Sequence, residues 1–190
     1  MSYSATELRR FLEELDRNLT APCELVVIGG AAGALMYGVT TATKDIDVWN
    51  ARYDSDLVTA LALTRQRLGL DVELAGAPVA HPPDEFEDRL VLLGGLSKLQ
   101  VRIPERYDLV LLKIARCVEG DRAHIMEMHA HEPLDVEVLV QRYLDEMLTA
   151  ATDPDVLDDK LWIVVDDLFR TEIADAIHAR VKQRRRGGTG

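Results

Sequence analysis

An α+β fold is what this sequence predicts: a small mixed sheet flanked by helices over residues 1–104, then a helical region over 105–190 packed on that core. Three observations carry the prediction. Leu25, Val26, Val27 and Ile28 form an apolar, β-branched run that stops on Gly29-Gly30, as a buried strand does before a tight turn. Asp45-Ile46-Asp47-Val48-Trp49 alternates polar and apolar, the period of a half-covered strand. From Tyr107 onward the apolar residues recur mostly at helical spacing.

Taken in order, Ser4 and Glu7 form a Ser-x-x-Glu capping box ahead of Leu8, Phe11, Leu12, Leu15 and Leu19, one face of an amphipathic helix. The first strand, the Gly29-Gly30 turn and a small-residue helix (Ala31, Ala32, Ala34, Leu35, Met36) follow, then the Asp-x-Asp strand. Ser55 is a candidate cap for a helix through Leu57, Leu61 and Leu68, closed by Gly69. Asp71-Val72-Glu73-Leu74 reads as a short strand, and Ala75 to Pro83, which bears His81, as a loop. Arg89 to Leu93 and Leu99 to Ile103 read as two strands, the second closed by Pro104. The helices expected beyond are Tyr107 to Cys117, Asp121 to about His129, and a third marked by Val136, Leu139, Val140, Tyr143, Leu144 and Met147. Asp153-Pro154 opens a long amphipathic helix running through Leu157, Leu161, Val164, Val165, Leu168, Ile173 and Ile177.

Composition narrows the function classes. With 190 residues, 47% hydrophobic and 29% charged, the chain can bury a real core. A net charge of −11 argues against broad, nonspecific nucleic-acid binding, though a local basic patch would still admit RNA. The first residues are charged and amphipathic, and no apolar stretch approaches the ~18 residues of a membrane span, so a cytoplasmic protein without membrane partners is expected. Cys23 and Cys117 fit no zinc spacing and read as reduced thiols.

The chemistry concentrates between Leu25 and Trp49. Two glycines between strand and helix let a ligand approach the main chain, and the first helical amides suit an anion such as phosphate. In a strand Asp45 and Asp47 project from the same face while Ile46 and Val48 point the other way. At ~4 Å and an effective dielectric of ~20, two carboxylates repel by about 4 kcal/mol. Such a pair takes up a proton or a divalent cation, and hard oxygen ligands suit Mg²⁺ (or Mn²⁺) bound jointly with substrate phosphates. Together the turn and the acid pair suggest metal-assisted nucleotidyl transfer.

The Gly29-Gly30 turn followed by Thr43-Lys44-Asp45-Ile46-Asp47 resembles the signature of the DNA polymerase β-type nucleotidyltransferase superfamily. More narrowly it is similar to small bacterial nucleotidyltransferases of the abortive-infection and toxin–antitoxin kind. That resemblance implies the minimal nucleotidyltransferase fold, with Gly29 and Gly30 at the triphosphate of an NTP and Asp45 and Asp47 on Mg²⁺. Thr43 would stand near the phosphates. Lys113, Arg116 and Asp121 resemble the lysine-containing helix and following acid of the abortive-infection enzymes, which implies Lys113 as a cation facing the triphosphate. The implied acceptors are an RNA 3′ end (tRNA in toxin systems) or a hydroxyl on a partner protein, and the implied partner is a cognate toxin or antitoxin. A non-catalytic binding module or antitoxin of the same fold is the alternative.

One departure from the superfamily pattern stands out. Its third carboxylate often lies centrally in the strand that Arg89 to Leu93 would form, and that segment has none. Asp71, Glu73, Glu87 and Asp88 are the candidates left. His124, His129 and His131 match no zinc spacing and are expected at the surface. Trp162 and Phe169 are expected in the core or in a homodimer contact, and Lys182, Arg184, Arg185 and Arg186 in a solvated tail.

Overall fold

The computed structural model describes residues 1–49, 51–76, 82–147 and 153–187. His81, with the rest of 77–81, and residues 188–190 lie outside them. The chain divides into two compact units, Met1–Pro78 with Arg89–Glu105, and Val79–Asp88 with Arg106–Gly190. The α+β architecture is as the sequence predicts: a mixed five-stranded sheet in the first unit and a helical second unit.

In the first unit α1 (Ala5–Asn18) opens on the expected capping box. The Ser4 hydroxyl accepts from the Glu7 amide at 3.3 Å, and the Glu7 carboxylate accepts from the Ser4 amide at 2.8 Å. There follow β1 (Cys23–Ile28), α2 (Gly29–Met36), β2 (Asp45–Trp49), α3 (Ser55–Leu68), β3 (Glu73–Gly76), β4 (Val91–Leu92) and β5 (Leu99–Ile103). The cap of α3 is Asp54 rather than Ser55, because the Asp54 carboxylate accepts from the Leu57 amide at 2.8 Å. Instead of a five-residue strand, 89–93 gives only the two residues of β4, after a 3-10 turn at Phe86–Arg89.

The sheet order is β3-β2-β1-β5-β4, with β1 antiparallel to β2, parallel to β5, and β2 parallel to β3. One face is buried: Leu25, Val27, Ile46, Val48, Leu74, Leu99, Val101 and Ile103. The other face carries Glu24, Val26, Asp45, Asp47, Trp49, Glu73, Ala75, Leu92, Gln100 and Arg102, none of them buried. Helix α1 packs on β5, α2 and α3 through Leu8, Phe11, Leu12 and Leu15.

The second unit contains α4 (Arg106–Arg116), α5 (Glu119–His131), α6 (Val136–Glu146), α7 (Pro154–Leu168) and α8 (Thr171–Gly187). Asp153 caps α7 as expected, accepting from the Asp155 amide at 3.0 Å. The single long helix expected from Pro154 is two helices, broken at Phe169 (φ −124°, ψ −95°). The break lets α8 fold back so that Ala174, Ile177 and Val181 are buried, which one straight helix would prevent. The basic end is a solvated tail only in part: Arg184 and Arg186 are exposed, Lys182 and Arg185 half-buried. Helix α8 continues to Gly187, and Arg185 binds the buried Asp158 with both Nε and Nη2 at 2.8 Å. The Tyr143 hydroxyl donates to the same carboxylate at 2.6 Å, and burial followed by that bond pushes the phenol well above its usual range. Trp162 is half-buried with Nε1 donating to Asp175 at 2.9 Å, and Phe169 meets the His129 ring edge-on at 5.2 Å. Among the described residues no helix is long and apolar enough to cross a membrane.

A contact that no local pattern announces fastens α1 to the sheet. The Asp16 carboxylate, 8% exposed, accepts from the amides of Ser97, Lys98 and Leu99 at 2.9, 2.6 and 2.7 Å. Burial alone would raise its pKa, but the three backbone donors outweigh that and hold it below the carboxylate norm. Asp16→Ala strands these donors and is expected to lower stability by about 3 kcal/mol at pH 7, read by urea unfolding. Because the folded pKa is depressed, the contribution is whole above the unfolded value of about 3.9 and lost as pH falls through the folded one. The gap between wild type and Asp16→Ala should therefore close in acid.

Candidate nucleotide and metal site

The turn after β1 is built around a missing side chain. Gly29 sits at φ +70°, the left-handed region that other residues adopt only under strain. The antiparallel register sets Ile28 opposite Asp47, which brings the Asp47 carboxylate over Gly29. A Cβ at Gly29 would overlap Oδ2 of Asp47 and lie 3.1 Å from its Cγ. Gly30, Ala31 and Ala32 are buried and open α2, whose N-cap, Ile28, offers no side-chain hydrogen bond to the first amides. An eight-residue helix therefore starts beside the carboxylate, and its N-cap residue supplies no side-chain hydrogen bond.

Asp45 shares the Asp47 face two residues earlier, and both are half-buried while Ile46 and Val48 fill the core. Beyond Asp45 the parallel register with β3 sets Glu73 level with it on the same open face. Of the other candidates for a third acid, Asp71 lies ahead of β3, its side chain 96% exposed and 3.8 Å from Arg65. Glu87 and Asp88 are exposed in the 3-10 turn, within the second unit. Among the described residues no three His, Cys, Asp or Glu side chains converge closely enough to hold a metal ion by themselves.

Thr43 is half-buried and shapes the approach to β2. It exchanges backbone hydrogen bonds with Tyr3, and its hydroxyl donates to the Asp45 carbonyl at 3.2 Å. Lys44 is exposed.

In the second unit the structure gathers the other motif. Lys113 is 3% exposed, its ammonium 3.0 Å from Nδ1 of His124 and 3.6 Å from Asp121. Arg116 grips Asp121 with two bonds of 2.7 Å. Burial would raise the Asp121 carboxyl, but the Arg116 fork and the Lys113 charge outweigh it and hold the pKa low. His124 is thus no surface histidine, and its place beside Lys113 was missed in the sequence, where the motif that joins α4 to Asp121 gives no sign of it. His129 is half-buried as well and accepts from the Leu134 amide at 3.1 Å, while His131 is exposed as expected.

The profile of the family described as "Nucleotidyltransferase of unknown function (DUF6036)" matches residues 6–163, most of the chain. The chain belongs to this family. It is therefore a member of a nucleotidyltransferase family, and the match ends within α7, short of α8. Among solved structures it is similar to JHP933 from Helicobacter pylori, at 14% identity and a TM-score of 0.41 over 96% of this chain and 95% of that one. A second H. pylori structure, whose nucleotidyltransferase designation is provisional, matches at 14% identity and a TM-score of 0.41, over 96% and 98% of the two chains. At that similarity neither bears on the site. No curated protein matches significantly.

Two measurements test this geometry. Gly29→Ala combines left-handed strain with the overlap on Asp47, and should cost about 1–3 kcal/mol in urea unfolding. Burial, then the Lys113 charge, hold the His124 imidazole below its ordinary pKa of 6.5. An NMR titration should show His124 titrating below 6.5, and Lys113→Met should move it upward.

Proposed function

We propose that this protein is an Mg²⁺- or Mn²⁺-dependent nucleotidyltransferase that moves a nucleoside monophosphate from an NTP to a hydroxyl of RNA or of a partner protein. The observation that carries the reading is the Asp47 carboxylate seated over Gly29 at the start of α2, with Asp45 on the same face. The turn and the first helical amides suit the triphosphate, with Gly29 and Gly30 bringing main-chain N–H groups close to it. Asp45 and Asp47 supply the hard oxygen donors a divalent cation prefers, and triphosphate oxygens and water complete the set. When bound, the cation would neutralise phosphate charge and favour the ionised acceptor hydroxyl.

The acceptor oxygen forms a bond to the α-phosphorus, the bond from that phosphorus to the bridging oxygen breaks, and pyrophosphate leaves with its electron pair. Glu73, level with Asp45, is the residue assigned to take the hydroxyl proton. Thr43 steadies the strand end through the Asp45 carbonyl. Lys113 is already engaged by Asp121 and His124, and the reading carried by the acid pair stands without it. The bacterial toxin–antitoxin or phage-defence setting rests on the resemblance of Asp45-Ile46-Asp47 and Gly29-Gly30 to such enzymes.

One observation favours a second reading, a nucleotide-binding module or antitoxin that does not turn over: the absence, among described residues, of three converging metal-ligand side chains. Incubation with each labelled NTP, Mg²⁺ or Mn²⁺, and total RNA or lysate separates the two. Transfer abolished by Asp45→Ala/Asp47→Ala is expected. Glu73→Gln should slow it by about 10²–10⁴-fold while nucleotide binding persists. Transfer that survives the double substitution excludes the mechanism, and metal-dependent NTP binding without transfer selects the second reading.

A further inference from the structure

Helices α7 and α8 of the second unit leave between them an open cleft of about 620 Å³, a size that ligand sites share. Asp159, Trp162 and Ile163 line it from α7, and Asp175, His178 and Ala179 line it from α8. Within each helix these residues recur at the i, i+3, i+4 spacing of one face. The lining is mostly apolar, and each helix contributes one carboxylate to it. Seven residues before Ile163, on the same side of α7, stands Val156, which is 46% exposed.

The other aspartates of α7 are satisfied inside the unit. Asp155 is held by Lys182, Asp158 by Arg185 and Asp167 by Arg122, while Asp166 accepts from the Thr171 hydroxyl. The two acids at the cleft differ. Among the described residues neither has a lysine or arginine on it: Asp175 accepts from the Trp162 indole N–H at 2.9 Å, and Asp159 lies 3.7 Å from the His178 ring. Lys182 is near enough to feel the Asp159 charge, but its ammonium bonds Asp155. What complements two carboxylates over an apolar lining is a cationic head on an apolar stem, the build of an arginine side chain. A bare metal ion would need converging oxygen donors, and no three such side chains converge among the described residues.

We propose that the α7–α8 cleft is a docking site for a partner protein, which inserts an arginine whose stem lies along Ile163 and Ala179 and whose guanidinium meets Asp159 and Asp175. Val156 extends the contact to an apolar residue of the same partner segment, which is why the occupant is a polypeptide rather than a free amine. A net charge of −11 draws a basic partner from a distance, and the cleft supplies the contact that selects it. Neither the acid pair of β2 nor a bound nucleotide enters this assignment, so it goes beyond the nucleotidyl-transfer reading and stands apart from it.

The chain has two tryptophans, so Trp49→Phe leaves Trp162, in the cleft, as the sole indole reporter. The probe is a blocked peptide of about twelve residues built of alanine, leucine and arginine, which should change that emission saturably and bind less tightly as salt rises. The same peptide with citrulline for every arginine keeps the shape without the charge and should bind at least about tenfold more weakly. Asp159→Asn and Asp175→Asn should each weaken the arginine peptide by about two- to fivefold and together by about tenfold, whereas Asp166→Asn, outside the cleft, should change it by less than about twofold. Ala179→Arg sets the protein's own guanidinium at the cleft and should abolish the response. Thermal melts of each variant establish that it is folded. Emission unchanged up to about 1 mM peptide overturns the proposal, as does equal binding of the citrulline peptide. An Asp166→Asn loss as large as that of the cleft pair reduces the contact to diffuse attraction and overturns it as well. Spermidine that displaces the peptide at matching concentration gives the cleft to a free amine, and a dimer in sedimentation that Asp159→Asn/Asp175→Asn dissolves gives it to a second copy; either result overturns the partner assignment. Since the readout is peptide binding without nucleotide, its failure leaves the nucleotidyl-transfer reading untouched.

Discussion

The space left by a side chain that Gly29 lacks is the constraint on which the site depends. Asp47 fills that space, and it does so only in one register of β1 against β2. A slip of one residue would turn Ile46 and Val48 out of the core and carry the two carboxylates into it. Ile46 and Val48 are 0% and 1% exposed, and burying each is worth roughly 1.5–3 kcal/mol. The hydrophobic face of β2 therefore positions the acids on the other face. That burial exceeds the roughly 2 kcal/mol by which carboxylates ~7 Å apart repel at an effective dielectric of ~20, so the core can hold the pair in place.

The sheet of the first unit serves two purposes by being one-sided. Its covered face provides stability through α1, which is fastened twice: by apolar residues along its length, and by Asp16 capping the start of β5. Glu14 adds a third tie, accepting from Arg17 and Arg67, so the same helix reaches α3. The other face carries Asp45, Asp47 and Glu73. An antiparallel or mixed sheet permits this division because alternate residues go to opposite sides. The second unit works differently. Its helices bury charged groups beside partners, Asp108 with Arg142 and Asp158 with Tyr143 and Arg185. Buried ion pairs contribute little net stability, yet removing one partner strands the other, so they favour one packing of α8 over its alternatives.

What could be read in advance was whatever depends on neighbours in sequence. The Ser4 and Asp153 caps, the period-two strand at Asp45–Trp49, and the strand–Gly–helix turn all follow from residues within a few positions of one another. What could not be read depends on residues far apart. Asp16 meets Ser97, Lys98 and Leu99 across the fold, and an exposed-looking acid near the end of a helix gives no hint of it. The break at Phe169 has neither proline nor glycine to mark it. It follows from where Ala174, Ile177 and Val181 find apolar partners, and the apolar spacing continues through it. Asp54 displaced Ser55 as a cap because both residue types suit that position and only backbone geometry chooses between them. Glu73 was among four candidate acids in the sequence, and strand register is what separates it from the rest.

The Lys113 cluster shows how far a motif can be right in its members and incomplete in its physics. The resemblance groups Lys113, Arg116 and Asp121, and their side chains meet, but a fourth partner, His124, changes the electrostatics. Within these four side chains two cations face one carboxylate, so a proton on His124 would add a third positive charge beside a buried ammonium. Burial first, and the Lys113 charge after it, disfavour a proton on the imidazole, and an unprotonated Nδ1 can accept from Lys113. The same imbalance keeps Asp121 ionised at 1% exposure, against the pull of burial. Both groups meet the same buried ammonium, and that lysine is one that sequence alone would have pointed only at phosphate.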